Sequence, residues 1–345
     1  MKILAIETSC DETALALLEA TGGLKTPKFK VLKSLISSQI SVHRPFGGVV
    51  PNLAKREHLI HLPLLFEEMQ KTIKKTKIDV VAVTVGPGLE PALWTGIGFA
   101  KEIHKKYFPK AKLIGVNHME GHLFSFLLSQ ESAKQTYSVK NLSKLFPAIG
   151  VVVSGGHTML IKMESLTKWK RLGETRDDAI GEAFDKVARV LKLPYPGGPE
   201  IEALAKKGNS KAIAFPRPMI GSPDYEFSFS GIKTSVLYYV RDNLDANTAD
   251  VAASFQQAAV DVMVKKTEKA VRQFSAQSIL LSGGVAANTA LRASLASKAD
   301  ELHARFFAPS HAFNTDNAAM IGVAGYISHL RKKNRRLTAD ANISL

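Results

Sequence analysis

Short apolar runs alternate with polar turns and helical patterns along most of the chain. Residues 2–6 and 13–18 are apolar runs that flank a polar turn at residues 7–12, and this pattern predicts two strands joined by a tight loop. A second copy of the pattern surrounds the turn at residues 154–157. Because the two turns lie about half a chain apart, we predict an internal duplication.

Strand and helix patterns also follow one another outside these turns. Residues 80–85 predict a buried strand before a helix near residues 93–107, and residues 278–281 predict a strand before a helix near residues 288–298. Strands rich in valine, isoleucine and leucine that alternate with helices are typical of α/β folds. We therefore predict an α/β fold with two similar lobes.

The predicted domain boundaries follow from these patterns and from the polar stretches between them. We expect, in chain order, a first lobe at residues 1–128, a linker at 129–145, a second lobe at 146–310 with a helical insertion at 177–208, a returning segment and helix at 311–330, and a basic tail at 331–345. The returning helix is expected to pack on the first lobe.

The composition is globular but strongly basic. The 345 residues include 46 lysines and arginines against 31 aspartates and glutamates, a net charge of +15 that favours a polyanionic partner such as nucleic acid. No apolar run approaches the ~20 residues that span a bilayer, so we expect no membrane segment, and the first residues predict a core strand instead of a targeting peptide. The single cysteine, Cys10, excludes an internal disulfide and fits a reducing cytosol.

Two histidines four residues apart, His118 and His122, follow an apolar run at a predicted strand-to-helix junction. On a helix they share one face and can bind one metal ion. A zinc protease of the His-Glu-x-x-His type needs its general-base glutamate beside the first histidine, whereas Glu120 lies two positions on, about 200° around the helix. Such a pair also occurs as packing or surface residues, so the spacing establishes only that a metal site is feasible.

Asp316 lies at a predicted loop-to-helix junction near the end of the chain. A plain helix cap is the simplest role for an aspartate there. The same carboxylate is also the best-placed third ligand for an ion held by His118 and His122. Two nitrogens and one oxygen fit either zinc or iron(II), and the sequence does not choose between them.

Two glycine turns, which we expect to belong to two lobes, suggest a nucleotide in the cleft. Ser154, Gly155 and Gly156 form a turn whose amides can point at phosphate oxygens, although a simple hairpin would use the same glycines. Gly283 and Gly284 stand between a predicted strand and helix, where oriented amides favour anions.

Three carboxylates near these turns have alternative roles. Asp178 is expected to cap a helix, and Asp185 follows seven residues later on the same face. Asp185 and Glu202 can accept hydrogen bonds from a ribose, while a solvated helix face is the plain alternative for Glu202.

Seven short motifs, in this order along the chain, carry a family resemblance. They are residues 6–13 (IETSCDET), 117–122 (NHMEGH), 153–158 (VSGGHT), 181–186 (GEAFDK), 195–199 (YPGGP), 229–234 (FSGIKT) and 315–319 (TDNAA). From Met1 to about Tyr326 the chain resembles the TsaD family, the tRNA threonylcarbamoyladenosine transferases long labelled O-sialoglycoprotein endopeptidases. The bacterial form is the most similar.

The resemblance implies a fold of the actin, Hsp70 and sugar kinase (ASKHA) type, with two duplicated ribonuclease H-like lobes around a nucleotide cleft. It also implies a cytoplasmic acyltransferase. The threonylcarbamoyl group of threonylcarbamoyladenylate would move to N6 of the adenosine 3′ of the anticodon, in tRNAs that read codons beginning with A, to form t6A.

The family motifs also assign residues and partners. His118, His122 and Asp316 would bind one divalent metal ion per subunit, Fe(II) or Zn(II), and Asp11 and Glu12 are our candidates for orienting or deprotonating the adenine amine. Besides tRNA, the expected partners are a TsaB-like paralogue and a TsaE-like ATPase. The residues expected to contact the adenylate are Val152, Val153, Ser154, Gly155, Gly156, Asp185, Gly198, Glu202 and Asn288.

Three other functions compete with this interpretation. A small-molecule kinase of the same broad fold would use the glycine turns but leaves His118 and His122 unexplained. A metalloprotease would use the histidines but lacks a suitably placed base. A nucleotide-binding scaffold that recruits tRNA through its basic surface would need no metal.

Overall fold

The computed structural model describes residues 1–74, 76–129, 131–133, 136–139 and 141–345. They form two compact units, unit 1 with Met1–Leu142 and Pro309–Leu345, and unit 2 with Ser143–Ala308. The strands are β1 (Lys2–Glu7), β2 (Glu12–Thr21), β3 (Lys28–Ser38), β4 (Val80–Gly86), β5 (Lys112–Asn117), β6 (Glu131–Ala133), β7 (Thr136–Ser138), β8 (Ala148–Val153), β9 (Thr158–Met163), β10 (Trp169–Glu174), β11 (Ser278–Ser282) and β12 (Arg305–Phe307). The α-helices are α1 (Ile40–His43), α2 (Pro51–Ile73), α3 (Glu90–Tyr107), α4 (His118–Phe124), α5 (Ile180–Val190), α6 (Gly197–Ala205), α7 (Ser230–Asp242), α8 (Thr248–Phe274), α9 (Thr289–Glu301) and α10 (Ala318–Leu330).

Each unit is built on a sheet with the same arrangement of five strands. In unit 1 the order is β5-β4-β1-β2-β3, continued by β7 and β6, and in unit 2 it is β12-β11-β8-β9-β10. In both sheets the first three strands of this order run parallel to one another. The fourth and fifth strands each pair antiparallel with the strand before them. The shared order and directions are those expected of the duplication that the two similar turns predict.

Helices cover both faces of the unit 1 sheet. On one face, α2 and α3 pack against Leu4, Leu15 and Val83 in one apolar cluster. On the other face α10 crosses β1 and β2, where a Cβ added to Gly322 would lie 2.4 Å from Leu18 Cδ1. Glycine is required at this point of α10 because the helix lies almost on the sheet.

Unit 2 has one apolar core around its longest helix. Helix α8 buries Phe255 and Met263 against α5, α6 and the sheet, and the ring of Phe184 on α5 packs 5.0 Å from that of Phe255. Helix α5 is strongly amphipathic in sequence and presents its apolar side to this core. The result is a rigid base for the turns that precede α5 and α9.

The predicted linker, residues 129–145, contains the boundary between the units but is not simply an extended connection. Its residues 130, 134, 135 and 140 lie outside the described residues. Strand β7 in the same stretch pairs antiparallel with β3, and Tyr137 is buried against Phe313. Strand β7 and the edge strand β6 end this sheet, and a polar composition suits that position as well as a linker because the outer edge of the sheet meets water.

The basic tail predicted at residues 331–345 is folded onto unit 1. Leu337 and Ala339 pack against the cluster beneath α2 and α3, and Arg335 forms an isolated antiparallel bridge with Gly115 of β5. The sequence suggested a charged surface segment because its arginines and lysines outnumber the apolar residues that anchor it. Within the described part of the chain, helices with the length and hydropathy needed to cross a membrane are absent.

Two Gly→Ala substitutions in helix interiors test the packing of α10. Gly322→Ala places a methyl group against Leu18, which we expect to cost about 1–3 kcal/mol of unfolding free energy. Gly98→Ala in α3 meets open space and is expected to stabilise by up to about 1 kcal/mol. Urea unfolding measures both. Equal effects of the two substitutions would contradict the close contact of α10 with the sheet.

Candidate metal centre

The two histidines stand where β5 becomes α4. The side chain of Asn117, the last residue of β5, accepts hydrogen bonds from the backbone N–H groups of Met119 (2.8 Å) and Glu120 (3.1 Å). This cap starts the helix at His118 and places His122 one turn later on the same face. Both imidazoles are buried.

Asp316 joins the histidines because α10 packs on α4. A Cβ at Gly121 would lie 2.9 Å from Ile321 Cδ1, so the two helices approach without a side chain from α4 between them. The cap of α10 is Asn317, whose Oδ1 accepts from the N–H of Met320 at 2.9 Å. The plain capping role considered for Asp316 is therefore wrong, because the next residue fills it and leaves the Asp316 carboxylate facing α4.

The three predicted ligands lie close enough to hold one ion. Asp316 Oδ1 is 3.0 Å from His122 Nε2 and 3.5 Å from His118 Nε2, and one donor atom from each residue lies within 4.8 Å of the others. Ligand atoms bound to one zinc at about 2.0–2.2 Å stand roughly 3.0–3.5 Å apart, depending on the coordination geometry. The spacing fits a shared ion.

His122 gives a second test of the fit. Its ring is fully buried, and neither Nδ1 nor Nε2 makes a hydrogen bond with the described residues. Nε2 is 3.0 Å from Asp316 Oδ1, yet the contact lacks hydrogen-bond geometry. Buried polar atoms are nearly always satisfied, so two donor atoms that are close but misaligned fit a common ligand between them. The residues present therefore suit a divalent metal ion.

Glu7 fixes the orientation of the His118 ring through Nδ1, the nitrogen that does not face Asp316. Its Nδ1 lies 3.1 Å from Glu7 Oε2 and 3.1 Å from Ser9 Oγ, which leaves Nε2 directed at Asp316. Glu7 is itself fully buried and accepts a 2.7 Å hydrogen bond from Thr84 Oγ1. A carboxylate in this position fixes the tautomer and the ring orientation of a metal-binding histidine.

The charges around His118 favour a positive charge on its ring. Burial lowers the pKa of His118, but the carboxylates of Asp316 and Glu7 outweigh burial and raise that pKa to about 9. The same attraction lowers the pKa of Glu7 in spite of its burial. The two carboxylates that favour the imidazolium would also attract a metal cation held by the same histidine.

The loop between β1 and β2 adds two carboxylates, Asp11 and Glu12, on the side of Asp316. Burial, together with the nearby charges of Asp11 and Asp316, raises the pKa of Glu12 well above its ordinary value. Burial and the charge of Asp11 also raise the pKa of the Cys10 thiol. Cys10 is therefore held as a thiol and is unsuited to act as a nucleophile.

The Glu120 carboxylate contacts α10 and the segment that follows it. It is 2% exposed, and its two oxygens lie 3.4 Å from Ser328 Oγ and 3.3 Å from Arg335 Nη2. Both partners are far away in sequence. A carboxylate held in this way is not available as the general base that a protease would need.

The predicted adenylate contacts of the first turn lie in unit 2, at the end of β8. Val152 and Val153 are buried, whereas a Cβ at Gly155 or Gly156 would meet open space. Ser154 closes the turn, since its N–H donates to His157 O at 2.8 Å and its Oγ accepts from His157 N at 3.1 Å. The exposed glycines leave this backbone accessible to a ligand.

The loop after β11 lies directly beside this turn. Gly283 has φ +94°, and a Cβ there would stand 2.2 Å from Val153 O. Asn288 ends the loop and caps α9 by accepting from Leu291 N at 2.9 Å. The close approach explains why glycine occupies position 283 and brings the two predicted glycine turns together. The expectation that they belong to two lobes is wrong, because both lie in unit 2.

The remaining predicted residues of unit 2 hold neighbouring helices in place. Asp185 Oδ1 accepts from Gly197 N at 2.7 Å, next to Gly198, and Glu202 Oε1 accepts from the N–H of Thr289 at 3.2 Å. These contacts tie α5 to α6 and α6 to α9, so the carboxylates already have structural partners.

The capping role expected of Asp178 is wrong. Ala179 precedes α5 without a side-chain cap, and Asp178 instead pairs with Lys186 at 2.7 Å and Lys233 at 3.0 Å. Asp177 accepts from Ser228 and from the first residues of α7. The sequence predicted a local role for Asp178, whereas its two lysine partners come from α5 and α7.

Sequence reasoning missed Glu7 and Ser9 as partners of His118. One signal was present, because Glu7 ends β1 directly after the buried apolar residues 3–6, and a carboxylate in a core needs a partner. The pattern did not say which residue the partner would be.

The chain is similar to a well-populated enzyme family. The family model described as TsaD, tRNA N6-adenosine threonylcarbamoyltransferase, matches residues 30–323. Curated relatives with the same name include those of Moorella thermoacetica, 45% identical with 98% of this chain and 95% of the relative covered, and Thermosipho melanesiensis, 46% identical with 94% of each covered. The relative from Thermotoga neapolitana is 43% identical and aligns over 100% of both chains.

Solved structures with low sequence identity share the fold. HypF from T. kodakarensis superposes with a TM-score of 0.58 at 15% identity, over 96% of this chain and 49% of HypF. The activator of the 2-hydroxyisocaproyl-CoA dehydratase from Clostridium difficile gives a TM-score of 0.52 at 12% identity, over 96% of both chains. With the two sheets of equal strand order, they confirm the predicted α/β fold of the actin, Hsp70 and sugar kinase type with duplicated ribonuclease H-like units. By its sequence, the chain belongs to the family of the tRNA N6-adenosine threonylcarbamoyltransferases.

Proposed function

We propose that this protein transfers the threonylcarbamoyl group of threonylcarbamoyladenylate to N6 of the adenosine 3′ of the anticodon, in tRNAs that read codons beginning with A. Membership of the family supports the reaction. The observation that carries the proposal is the group formed by the buried His118 and His122 and the half-buried Asp316, whose donor atoms suit a single ion.

The metal site would be formed by His118 Nε2, His122 Nε2 and Asp316 Oδ1, for one Fe(II) or Zn(II) per subunit. When bound, a divalent ion at this place supplies Lewis-acid chemistry for the carbonyl of the threonylcarbamoyl group. Glu7 holds the Nδ1–H of His118 and thereby keeps the Nε2 lone pair toward the site.

The reaction places modest demands on acid–base chemistry. The N6 amine attacks the carbonyl carbon of the mixed anhydride, a C–N bond forms, and the C–O bond to the phosphate breaks to release AMP. AMP is a good leaving group and needs no proton. One proton must leave the attacking nitrogen, so the enzyme mainly has to position the reactants and provide one acceptor.

Glu12 is the proposed proton acceptor, with Asp11 as its partner. The pKa of Glu12 lies well above the ordinary value because the side chain is desolvated and stands near Asp11 and Asp316. A carboxylate whose pKa is raised is a stronger base than an ordinary one. Asp11 would orient the amine.

The adenylate would be bound by unit 2. The accessible backbone at Gly155 and Gly156 suits phosphate oxygens, and the open space at Gly198 leaves room next to Asp185. Asn288 and Glu202 stand together at the start of α9. We assign Val152, Val153 and Ser154 to the wall of the same site.

A tRNA substrate fits the net charge of +15. We infer that the protein acts in the cytoplasm, where the single cysteine would stay reduced.

The proposed partners are a TsaB-like paralogue and a TsaE-like ATPase. Helix α2 offers a surface for the paralogue, because Leu59, Ile60 and Leu64 on its outer side are 55%, 56% and 56% exposed. Three large apolar side chains on one turn and a half of helix are unusual on a surface that meets only water. We assign this patch to the paralogue and propose that the ATPase supports repeated turnover.

His122→Ala tests the metal site. We expect the variant to lose the equivalent of metal that the wild-type protein retains after reconstitution with Fe(II) or Zn(II) and dialysis, because one of three ligands is gone. Elemental analysis measures the bound metal, and t6A formation from synthetic threonylcarbamoyladenylate and unmodified tRNA measures transfer. His61→Ala, on the surface of α2, is the control. A wild-type protein without metal that still forms t6A would overturn the role of the site.

Glu12→Gln tests the proton acceptor. We expect single-turnover transfer to slow by about 10²–10⁴-fold while metal content stays at the wild-type level, because the amide cannot take the proton. Quenched assays with nucleoside analysis give the rate. Glu102→Gln, an exposed residue of α3, controls for the loss of a charge. Transfer at the wild-type rate by Glu12→Gln would show that another group accepts the proton.

Leu64→Glu tests the surface on α2. We expect it to weaken binding of a TsaB-like paralogue by about tenfold or more, since a buried charge replaces an apolar contact. Leu244→Glu is the control, because Leu244 is 89% exposed in unit 2. Calorimetric titration compares the two variants. Equal affinities would place the paralogue elsewhere.

A further inference from the structure

The last fifteen residues follow a defined path over unit 1. After α10, Arg335 pairs with Gly115 at the edge strand β5, and Asp340 N donates to Val85 O at the end of β4. The segment then returns to the end of β5, where Ser344 O accepts from Asn117 Nδ2 at 3.1 Å. It thus crosses the ends of the two strands that precede α3 and α4.

Two glycines on the strands beneath this segment leave room for its backbone. A Cβ at Gly115 would lie 3.0 Å from Arg336 O and 3.1 Å from Arg335 O. At Gly86, where φ is +145°, a Cβ would lie 1.9 Å from Asp340 O. Side chains at these positions would push the segment off the strand ends, so the glycines and the tail form one packed arrangement.

Two contacts connect the tail to the helix that carries the histidines. Asn117 caps α4 through Oδ1 and is held on its other side by Ser344 O, so the tail fixes the orientation of the capping amide. Glu120 lies inside α4 and is buried, and Arg335 Nη2 reaches its Oε1 at 3.3 Å. A buried carboxylate left without its cationic partner is strongly destabilising.

We propose that residues 331–345 are a strap that positions α4 for metal binding, and that Arg335 is its main positioning residue. The inference rests on the proposed metal site. It also explains Glu120, the residue whose position within His118–His122 does not fit a protease. Glu120 serves as the anchor of the strap, and the histidines on either side gain a fixed helix.

Arg335→Ala and Arg336→Ala form a matched pair for the test. They are adjacent arginines of the same tail, but Arg336 is exposed while Arg335 is 18% exposed and paired with Glu120. Zn(II) affinity of the full chain is measured by competition with a chromophoric chelator. We expect Arg335→Ala to bind about 10- to 100-fold more weakly, as for loss of other groups that orient metal ligands, and Arg336→Ala to match the wild type.

A second variant and a second readout separate this inference from the proposed function. Deletion of residues 340–345 removes the Ser344 contact without touching Glu120, and it should also weaken Zn(II) binding. Hydrogen exchange of the α4 amides, measured without metal, should be faster in Arg335→Ala and in the deletion than in Arg336→Ala. If the wild-type chain binds no metal, the proposed site fails whatever the exchange shows. If the wild-type chain binds Zn(II) but both variants keep its affinity and its exchange rates, the strap alone is overturned.

Discussion

Helices α4 and α10 touch at Gly121, and the candidate centre of unit 1 depends on that contact. His118 and His122 come from one helix, while Asp316 precedes the other by two residues and is separated from them by all of unit 2. The three side chains meet because Gly121 lets Ile321 and Met320 approach the α4 backbone. Any larger residue there would widen the gap between ligands that now stand 3.0–3.5 Å apart.

The two units show how one scaffold can serve opposite charges. Both have the same order of five strands. Each also has a hairpin turn after its central strand, between β1 and β2 in unit 1 and between β8 and β9 in unit 2. In unit 1 that turn contains Asp11 and Glu12, and carboxylates gather there with Asp316 and Glu7. In unit 2 the equivalent turn contains Gly155 and Gly156, whose free backbone is suited to anions. The fold fixes where the turns lie, and the side chains decide what they attract.

The sequence predicted the parts that depend on neighbours in the chain. The junction at Asn117, the spacing of the histidines and the two glycine turns follow from local patterns, because caps, helix periodicity and turns are set within a few residues. For Asp316 the sequence left two roles open, a helix cap and a third ligand, and the family motif favoured the ligand. The local signal at Asp316 pointed to a cap, and aspartate and asparagine cap helices about equally well, so the pattern could not say that Asn317 takes this role.

Contacts between residues that are distant in the chain could not be predicted from such local sequence patterns. Arg335 belongs to a cluster of similar basic residues, and nothing in the sequence distinguishes it from Arg336 until Glu120 is seen buried beside it. Glu7 likewise became interpretable through His118, more than a hundred residues away. Buried charges require partners, but the requirement does not identify them.

The separation of the ligands along the chain also bears on how the protein is made. His118 and His122 leave the ribosome long before Asp316, and the whole of unit 2 is synthesised in between. Arg335, which neutralises Glu120, comes later still. Domains generally fold as they emerge from the ribosome. Unit 2 can therefore fold while unit 1 still lacks α10 and the contacts of residues 331–345 with the ends of β4 and β5. The nascent chain therefore carries the two histidines without their third candidate ligand until Asp316 is synthesised, so the candidate site cannot be complete before that point.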